Sequence, residues 1–166
     1  MENPGDKDYP AEYFALKAAN DQLRERGKQW LLDTLNQLSS EIAQELIGLS
    51  DRSPLQLGRQ DWEFRFDGAT MIGERFGARY GTRTLTIEVG WPRLPEHGFV
   101  SGGGLACARV GVSQNTMLEV QTVAELSLKR VGRGEPAWYV ITNKKPGEQL
   151  TEGRLRDYLN LILAKY

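Results

Sequence analysis

The residues of this sequence most able to do covalent chemistry are one histidine, His97, and one cysteine, Cys107. Glu96 precedes His97, and a histidine can activate a thiolate when the two groups lie within hydrogen-bonding distance. Cys107, however, lies among small residues in a segment with strand periodicity, where a free cysteine is typically a small core residue. A reactive cysteine also needs exposure and positive surroundings. We therefore interpret the pair as a solvated loop histidine and a core cysteine, and predict no catalytic residue.

Metal and phosphate motifs are incomplete in this sequence. A single histidine excludes sites that need two, such as the two-histidine zinc helix. The triplet Gly102-Gly103-Gly104 could approach a phosphate, but Cys107 stands where the dinucleotide fingerprint needs glycine or alanine, and no Lys-Ser/Thr pair completes a P-loop. Ser101 lacks the glycine that a nucleophile elbow needs, because Phe99 occupies that position. No metal and no cofactor is predicted.

Two groups of charged residues between residues 59 and 93 admit a functional interpretation. Carboxylates on one strand face can act as acid and base on sugars or hold a hard cation, and arginines mixed with aromatic residues can bind single-stranded nucleic acid. Charges of opposite sign are interleaved in both groups, so ion pairs on an ordinary sheet surface are the favoured interpretation. The carboxylates are Asp61, Glu63, Asp67 and Glu88, and the mixed group is Arg59, Arg65, Arg75, Arg79, Arg83 and Arg93 with Phe76, Tyr80 and Trp91.

Length, charge and cysteine content limit the class of protein. A chain of 166 residues suits one domain, and its formal charge of −1 gives no overall field that would attract nucleic acid. Residues 1–50 carry nine acidic and five basic residues, a net −4, and we interpret this asymmetry as solvated faces. The lone cysteine, the absence of a secretion signal and the short apolar runs predict a cytoplasmic protein with no membrane segment.

A long helical pattern follows a polar start. Residues 1–9 are polar and contain helix breakers, so a flexible leader is predicted there. From residue 10 to 49 apolar residues recur at helical spacing, and Gly27 leaves open whether they form one helix or a pair, with one long helix slightly favoured. Packing on the chain's own sheet is the favoured role of this stripe, but its near-heptad spacing also allows an interface with a protein partner or a second copy. The interface candidates are Leu31, Leu35, Leu38 and Ile42.

Alternating apolar and polar residues predict a sheet over residues 55–143. The clearest pattern covers residues 118–129, where Leu126 and Leu128 belong to the apolar face. Residues 62–66 and 85–91 alternate in the same way, and Asp67-Gly68 predicts a hairpin turn. Each of these strands has one apolar face, so the helical segments at the two ends of the chain are expected to cover it.

The segment from residue 90 to residue 104 is the least regular part of the sequence. Prolines and glycines oppose both helix and strand here, and a loop of about fifteen residues is often functional in a compact domain. A small molecule is therefore a possible ligand, in an apolar pocket under residues 92–104. The residues predicted at the mouth of that pocket are Trp91, His97, Ser101 and Arg109.

The end of the chain has the pattern of a short surface helix over residues 151–166. Thr151 is a good N-cap, and Glu152 follows in the first turn. Leu155, Tyr158 and Leu159 begin an apolar stripe at helical spacing. This helix is expected to pack on the sheet.

These patterns predict an α+β fold in which a mostly antiparallel sheet of five or six strands carries a long N-terminal helix, or helix pair, and a short C-terminal helix on one face. Residues 10–166 are expected to form a single domain. The order of elements resembles secretion-chaperone-like and cone-shaped ligand-binding folds in architecture only, so it implies no site. The favoured function is a non-enzymatic interaction or accessory domain that self-associates. A small-molecule-binding domain or enzyme is the alternative, and single-stranded nucleic-acid binding is the third hypothesis.

Overall fold

The computed structural model of the chain describes residues 11–49, 55–115, 117 and 119–163. The predicted leader at residues 1–9 lies outside the described residues, as do Leu118 and residues 164–166. No helix in these described ranges is both long and apolar enough to span a bilayer.

The described strands form one antiparallel sheet of seven strands, in which each strand pairs with the next along the chain. The alternating patterns explain this simple order, because tight turns can join successive antiparallel strands. Asp67-Gly68 forms the predicted turn with positive φ at both residues, 49° and 81°. The strands are β1 (Leu55–Phe66), β2 (Ala69–Tyr80), β3 (Arg83–Trp91), β4 (Ala106–Ser113), β5 (Gln121–Lys129), β6 (Ala137–Thr142) and β7 (Lys145–Gln149).

The sheet has seven strands rather than the five or six predicted. The additional strand is β7, whose sequence Lys-Pro-Gly-Glu-Gln has no apolar alternation and is exposed along its whole length. A proline is tolerated there because β7 is an edge strand. The pattern at residues 118–129 also predicts a longer and more buried strand than β5, which begins at Gln121 and is buried only towards its end.

Two helices lie on one face of the sheet, as predicted. The first, α1 (Ala11–Leu49), is one continuous helix of 39 residues, which corresponds to about 58 Å. Gly27 does not end it. The glycine instead lets the helix lie close to the sheet, because a Cβ there would be 2.5 Å from Leu128 Cδ2. The second helix, α2 (Glu152–Leu163), begins after Thr151, whose hydroxyl accepts a hydrogen bond from the Arg154 backbone N–H at 3.2 Å.

The larger hydrophobic core lies between the helices and the sheet. Its residues come from the predicted helix stripes and from the apolar face of every central strand. A buried cation, Lys28, crosses this layer and lies 3.1 Å from the Glu74 carboxylate on β2. The largest fully buried side chains are Trp91, Phe76, Leu31, Leu32, Leu35, Met71, Leu85, Ile87, Leu126, Leu128, Leu155 and Leu159.

A second, smaller core lies on the opposite face of the sheet. Gly73 on β2 and Gly90 on β3 are paired, and a Cβ on Gly73 would lie only 2.0 Å from the Val89 carbonyl oxygen. The two backbones come very close at this glycine pair, and the β1–β2 hairpin packs over β4, where Arg109 Nη2 donates to the Arg65 carbonyl oxygen at 2.8 Å. Phe66 and Cys107 therefore belong to the same buried cluster, although β1 and β4 are not neighbours in the sheet.

Candidate functional site: a cleft between α1 and residues 92–104

The first turns of α1 extend beyond the sheet. From residue 11 to residue 20 no side chain is buried, whereas the apolar stripe from Leu23 onwards is covered by strands. The exposed stretch nevertheless contains large apolar residues. Tyr13, Phe14 and Leu16 are all exposed, and the rings of Tyr13 and Phe14 meet edge to face at 5.5 Å.

The segment between β3 and β4 is held in a defined shape by short turns. A 3₁₀ turn, Pro95–His97, is closed by the His97 ring, whose Nδ1 accepts hydrogen bonds from the backbone N–H groups of Arg93 and Leu94 at 3.3 and 3.2 Å. A second turn, Ser101–Gly103, has positive φ at both Gly102 and Gly103. Gly102 and Gly103, which were considered above for a phosphate loop, therefore provide the left-handed backbone of this turn.

Arg24 attaches the overhanging part of α1 to this segment. Its Nε donates a hydrogen bond to the carbonyl oxygen of Leu105 at 2.8 Å, and its Nη1 donates to Asp21 Oδ1 at 2.8 Å. Lys17 donates to the other Asp21 oxygen at 2.9 Å. Burial alone would raise the pKa of Asp21, but the hydrogen bonds and charges of Lys17 and Arg24 lower it overall. Asp21 is therefore charged at neutral pH and orients both cations.

A cleft of about 310 Å³ lies between the overhanging helix and this segment. Leu16 and Phe99 are the most exposed of its large apolar residues, at 60% and 82%. The charged side chains in its lining are all cationic. The full lining is Tyr13, Leu16, Lys17, Asn20, Arg24, Pro92, Arg93, Leu94, Pro95, Gly98, Phe99, Val100, Gly103 and Gly104.

The four residues predicted at a pocket mouth do not come together at this cleft, although the cleft does adjoin residues 92–104. Trp91 is buried in the core, and His97 is used to close its own turn. Arg109 lies on the opposite face, where it donates to the Arg65 carbonyl oxygen at 2.8 Å. Ser101 begins the second 3₁₀ turn, and its side chain lies outside what the structure describes.

The four interface candidates, Leu31, Leu35, Leu38 and Ile42, are buried against the sheet of the same chain. Self-association through these side chains would require α1 to leave the sheet. Any interface of the folded chain must therefore use another surface.

The aromatic rings considered for nucleic-acid stacking are largely covered. Phe76 is fully buried, and the Trp91 ring lies under the Arg93 guanidinium at 3.9 Å. Among the carboxylates, Glu88 accepts a hydrogen bond from Trp62 Nε1 at 2.9 Å and lies 3.8 Å from Arg109 Nη1. These contacts support the interpretation of an ordinary sheet surface with ion pairs.

The helix side of the cleft is not among the predictions made from the sequence. Tyr13 and Leu16 lie within the apolar helical pattern of residues 10–49, and helical periodicity does not reveal where a covering sheet ends. The length of α1 was an available signal. A helix of 39 residues spans about 58 Å, whereas strands of nine to twelve residues span only about 30 to 40 Å.

Comparison with known proteins gives no relative for this chain: no family model matches it, and no curated protein or solved structure is significantly similar to it.

Proposed function

We propose that this chain is a non-enzymatic protein-interaction domain that binds an apolar segment of a partner protein in the cleft between α1 and residues 92–104. The observation that carries the proposal is the group of exposed apolar side chains on a helix that extends beyond its own core. Single exposed apolar residues are normal on a surface, but a contiguous group around a cleft is typical of an interaction site. Tyr13, Leu16, Leu94 and Phe99 form such a group.

The charges of the cleft indicate the chemistry of the partner segment. Lys17, Arg24 and Arg93 line the cleft and no carboxylate does; Asp21, outside the lining, pairs with Lys17 and Arg24, so a net positive charge remains. A segment that combines large apolar residues with aspartate or glutamate fits this surface, because opposite charges speed association and exclude basic competitors. The aromatic and leucine side chains would provide most of the affinity once they are buried.

Self-association and a cytoplasmic location stay predictions within this proposal. A second copy would have to reach the cleft rather than the buried Leu31–Ile42 stripe. Light scattering of the purified chain separates the two forms of the proposal: a monomer at high concentration points to a different protein as partner, and a dimer abolished by Leu16→Asp points to a second copy.

The proposal is tested with labelled synthetic peptides of about twelve residues. One panel combines leucine, phenylalanine and glutamate, and a matched panel has lysine in place of every glutamate. Fluorescence anisotropy is expected to show that acidic peptides bind, that basic ones bind at least about tenfold more weakly, and that binding weakens as salt rises.

Two pairs of variants place the binding site. Leu16→Asp and Phe99→Ser are expected to weaken binding by about tenfold or more. Their controls are Leu161→Asp on α2 and Val131→Ser in the β5–β6 loop, which change exposed apolar residues of similar kind outside the cleft, 43% and 72% exposed. Equal binding of both panels, no binding of either, or binding that survives Leu16→Asp and Phe99→Ser would refute the proposal.

A further inference from the structure

A second cavity, of about 360 Å³, lies on the face of the sheet opposite the helices. It is bounded by the tips of two hairpins, β1–β2 and β6–β7, and by the second 3₁₀ turn. Asp67 of the first hairpin and Asn143 and Lys144 of the second line it together. Its volume lies within the range of small-molecule sites, about 300 to 1,000 Å³. The lining residues are Phe66, Asp67, Val100, Gly102, Cys107, Glu125, Ser127, Lys129, Ile141, Asn143, Lys144 and Pro146.

The polar group in the floor of this cavity is a buried hydroxyl without a partner. Ser127 on β5 is directly opposite Cys107 on β4, and only 4% of Ser127 is exposed. Its Oγ has no hydrogen-bond partner among the described residues. An unpaired buried hydroxyl is unfavourable, so a polar atom bound in the cavity would remove a cost that the fold otherwise bears.

Cys107, opposite Ser127, lines the cavity as an uncharged thiol and is not a nucleophile. Burial raises the pKa of the Cys107 thiol well above its usual range, and the nearby charge of Arg109 does not offset this effect. The thiol is therefore protonated at neutral pH. It gives the floor a soft, weakly polar surface next to the apolar side chains of Phe66 and Ile141.

Two side chains of opposite charge at the cavity have no partner among the described residues. The side chains of Glu125 and Lys144 make no ion pair or hydrogen bond with another residue in the described ranges. By contrast, the Lys129 ammonium donates to the Gly102 carbonyl oxygen at 2.9 Å. The charged residues of the lining are Lys129, Lys144, Asp67 and Glu125, so its net charge is zero. A zwitterionic ligand keeps the occupied cavity neutral, whereas a singly charged ligand does not.

The backbone at Lys144 is unfavourable for a lysine. Asn143 and Lys144 both have positive φ, 51° and 64°, as in the tight hairpin turns that prefer the sequence Asn-Gly. Glycine would adopt this conformation without strain, whereas a lysine is strained there. Its presence at a turn that favours glycine indicates a role for the side chain.

We propose that this cavity binds a small zwitterion of the free amino-acid class, with its ammonium at Glu125, its carboxylate at Lys144 and a polar atom at Ser127. The ligand's apolar part lies against Phe66 and Ile141. This site goes beyond the proposed protein interaction, since it is on the other face of the sheet. Only Val100 lines both cavities.

The experiment measures the melting temperature of the full chain with each of the twenty common L-amino acids at millimolar concentration, followed by calorimetry on the one with the largest shift. That amino acid is compared with two analogues. One is its amide, which lacks the carboxylate, and the other is the carboxylic acid without the α-amino group, which lacks the ammonium. The expected result is a rise in melting temperature with at least one amino acid and a loss of affinity of about tenfold or more for both analogues.

Variants then separate binding from folding. Lys144→Gly is expected to raise the melting temperature of the free protein by about 2–4 °C, because it relieves the strained turn, and yet to reduce affinity at least about tenfold. Ser127→Ala and Glu125→Gln are expected to weaken binding, whereas Lys145→Ala, next to the turn but outside the lining, leaves it unchanged. No shift with any amino acid, equal affinity for either singly charged analogue, or undiminished affinity in Lys144→Gly would overturn the proposal.

Discussion

The indole Nε1 of Trp138 donates a hydrogen bond of 2.9 Å to the backbone carbonyl oxygen of Gly27, in the middle of α1. The residues are 111 positions apart in sequence, and the bond is buried. It fixes α1 against β6 at the place where the helix has no side chain. The missing side chain of Gly27 thus lets α1 lie close to the sheet and lets the Trp138 indole reach the helix backbone.

A methyl group at this contact is expected to destabilise the protein. In Gly27→Ala the new Cβ would meet Leu128 Cδ2 at 2.5 Å, so either the fully buried Leu128 side chain must repack or the helix must shift and strain the Trp138 bond. We expect a loss of about 1–2 kcal/mol in the free energy of unfolding, even though alanine favours a helix by about 1 kcal/mol. Urea denaturation measures it.

The control for this substitution is Gly77→Ala on β2, where an added Cβ meets nothing within 4 Å. It is expected to leave the unfolding midpoint unchanged or slightly raised. If Gly27→Ala proved as stable as Gly77→Ala, the close approach of α1 to the sheet would be contradicted.

The close approach of β2 and β3 at the pair Gly73 and Gly90 makes a sharper prediction. A Cβ at Gly73 would lie 2.0 Å from the Val89 carbonyl oxygen and 2.8 Å from Gly90 Cα. Backbone atoms cannot move aside as a side chain can, so Gly73→Ala is expected to cost more than about 3 kcal/mol or to prevent folding. Near-ultraviolet circular dichroism and urea denaturation report the outcome. A native spectrum with an unchanged midpoint would contradict this close approach of the two strands.

The ion pair that crosses the main core predicts a pH dependence. Burial alone would raise the pKa of Glu74, but the hydrogen bonds and charges of Arg59 and Lys28 lower it overall. A carboxylate whose pKa is lower in the folded chain stabilises the fold above its unfolded pKa, and that contribution is lost as the pH falls through the folded pKa. Glu74→Gln is therefore expected to cost about 1–3 kcal/mol at pH 7, and the difference should shrink as the pH falls below about 4.3, the unfolded pKa of glutamate.

Stability curves measured at several pH values check this prediction. Glu63→Gln serves as the control, because Glu63 is an exposed residue on β1 and should change stability little at any pH. A cost of Glu74→Gln that does not change with pH down to the acid unfolding of the protein would mean that charge is not the source of its effect.

The N-terminus of α2 provides a smaller test. The Thr151 hydroxyl accepts the hydrogen bond from the Arg154 N–H, so Thr151→Ala is expected to lower the free energy of unfolding by about 1 kcal/mol. Thr151→Ser keeps the hydroxyl and should restore most of that loss. Equal destabilisation by alanine and serine would show that the cap does not contribute.

The sequence predicts an element well when burial of one face of that element sets the spacing of its apolar residues. The α2 stripe of Leu155, Tyr158 and Leu159, the Asp67-Gly68 turn and the apolar face of β3 follow from local patterns, and each is present in the structure. The edge strand β7 was not predicted, because an exposed strand needs no apolar alternation.

The sequence predicts a loop at residues 92–104, since prolines and glycines oppose regular structure, and this loop forms one side of the cleft. That the cleft binds a ligand stays a prediction. Which side chains face it depends on contacts distant in sequence, such as the one between Arg24 and the Leu105 carbonyl oxygen. The second cavity depends on the packing of the β1–β2 hairpin over β4, which no periodicity records.

The measurement that tests the proposed interaction most directly is an amide chemical-shift titration of the ¹⁵N-labelled chain with an acidic, apolar peptide. The proposal predicts that the largest changes fall on residues that line the cleft, including Leu16, Lys17 and Phe99, and that Leu16→Asp removes them. Changes concentrated on the opposite face, around Ser127 and Lys144, or no localised change at saturating peptide, would contradict it.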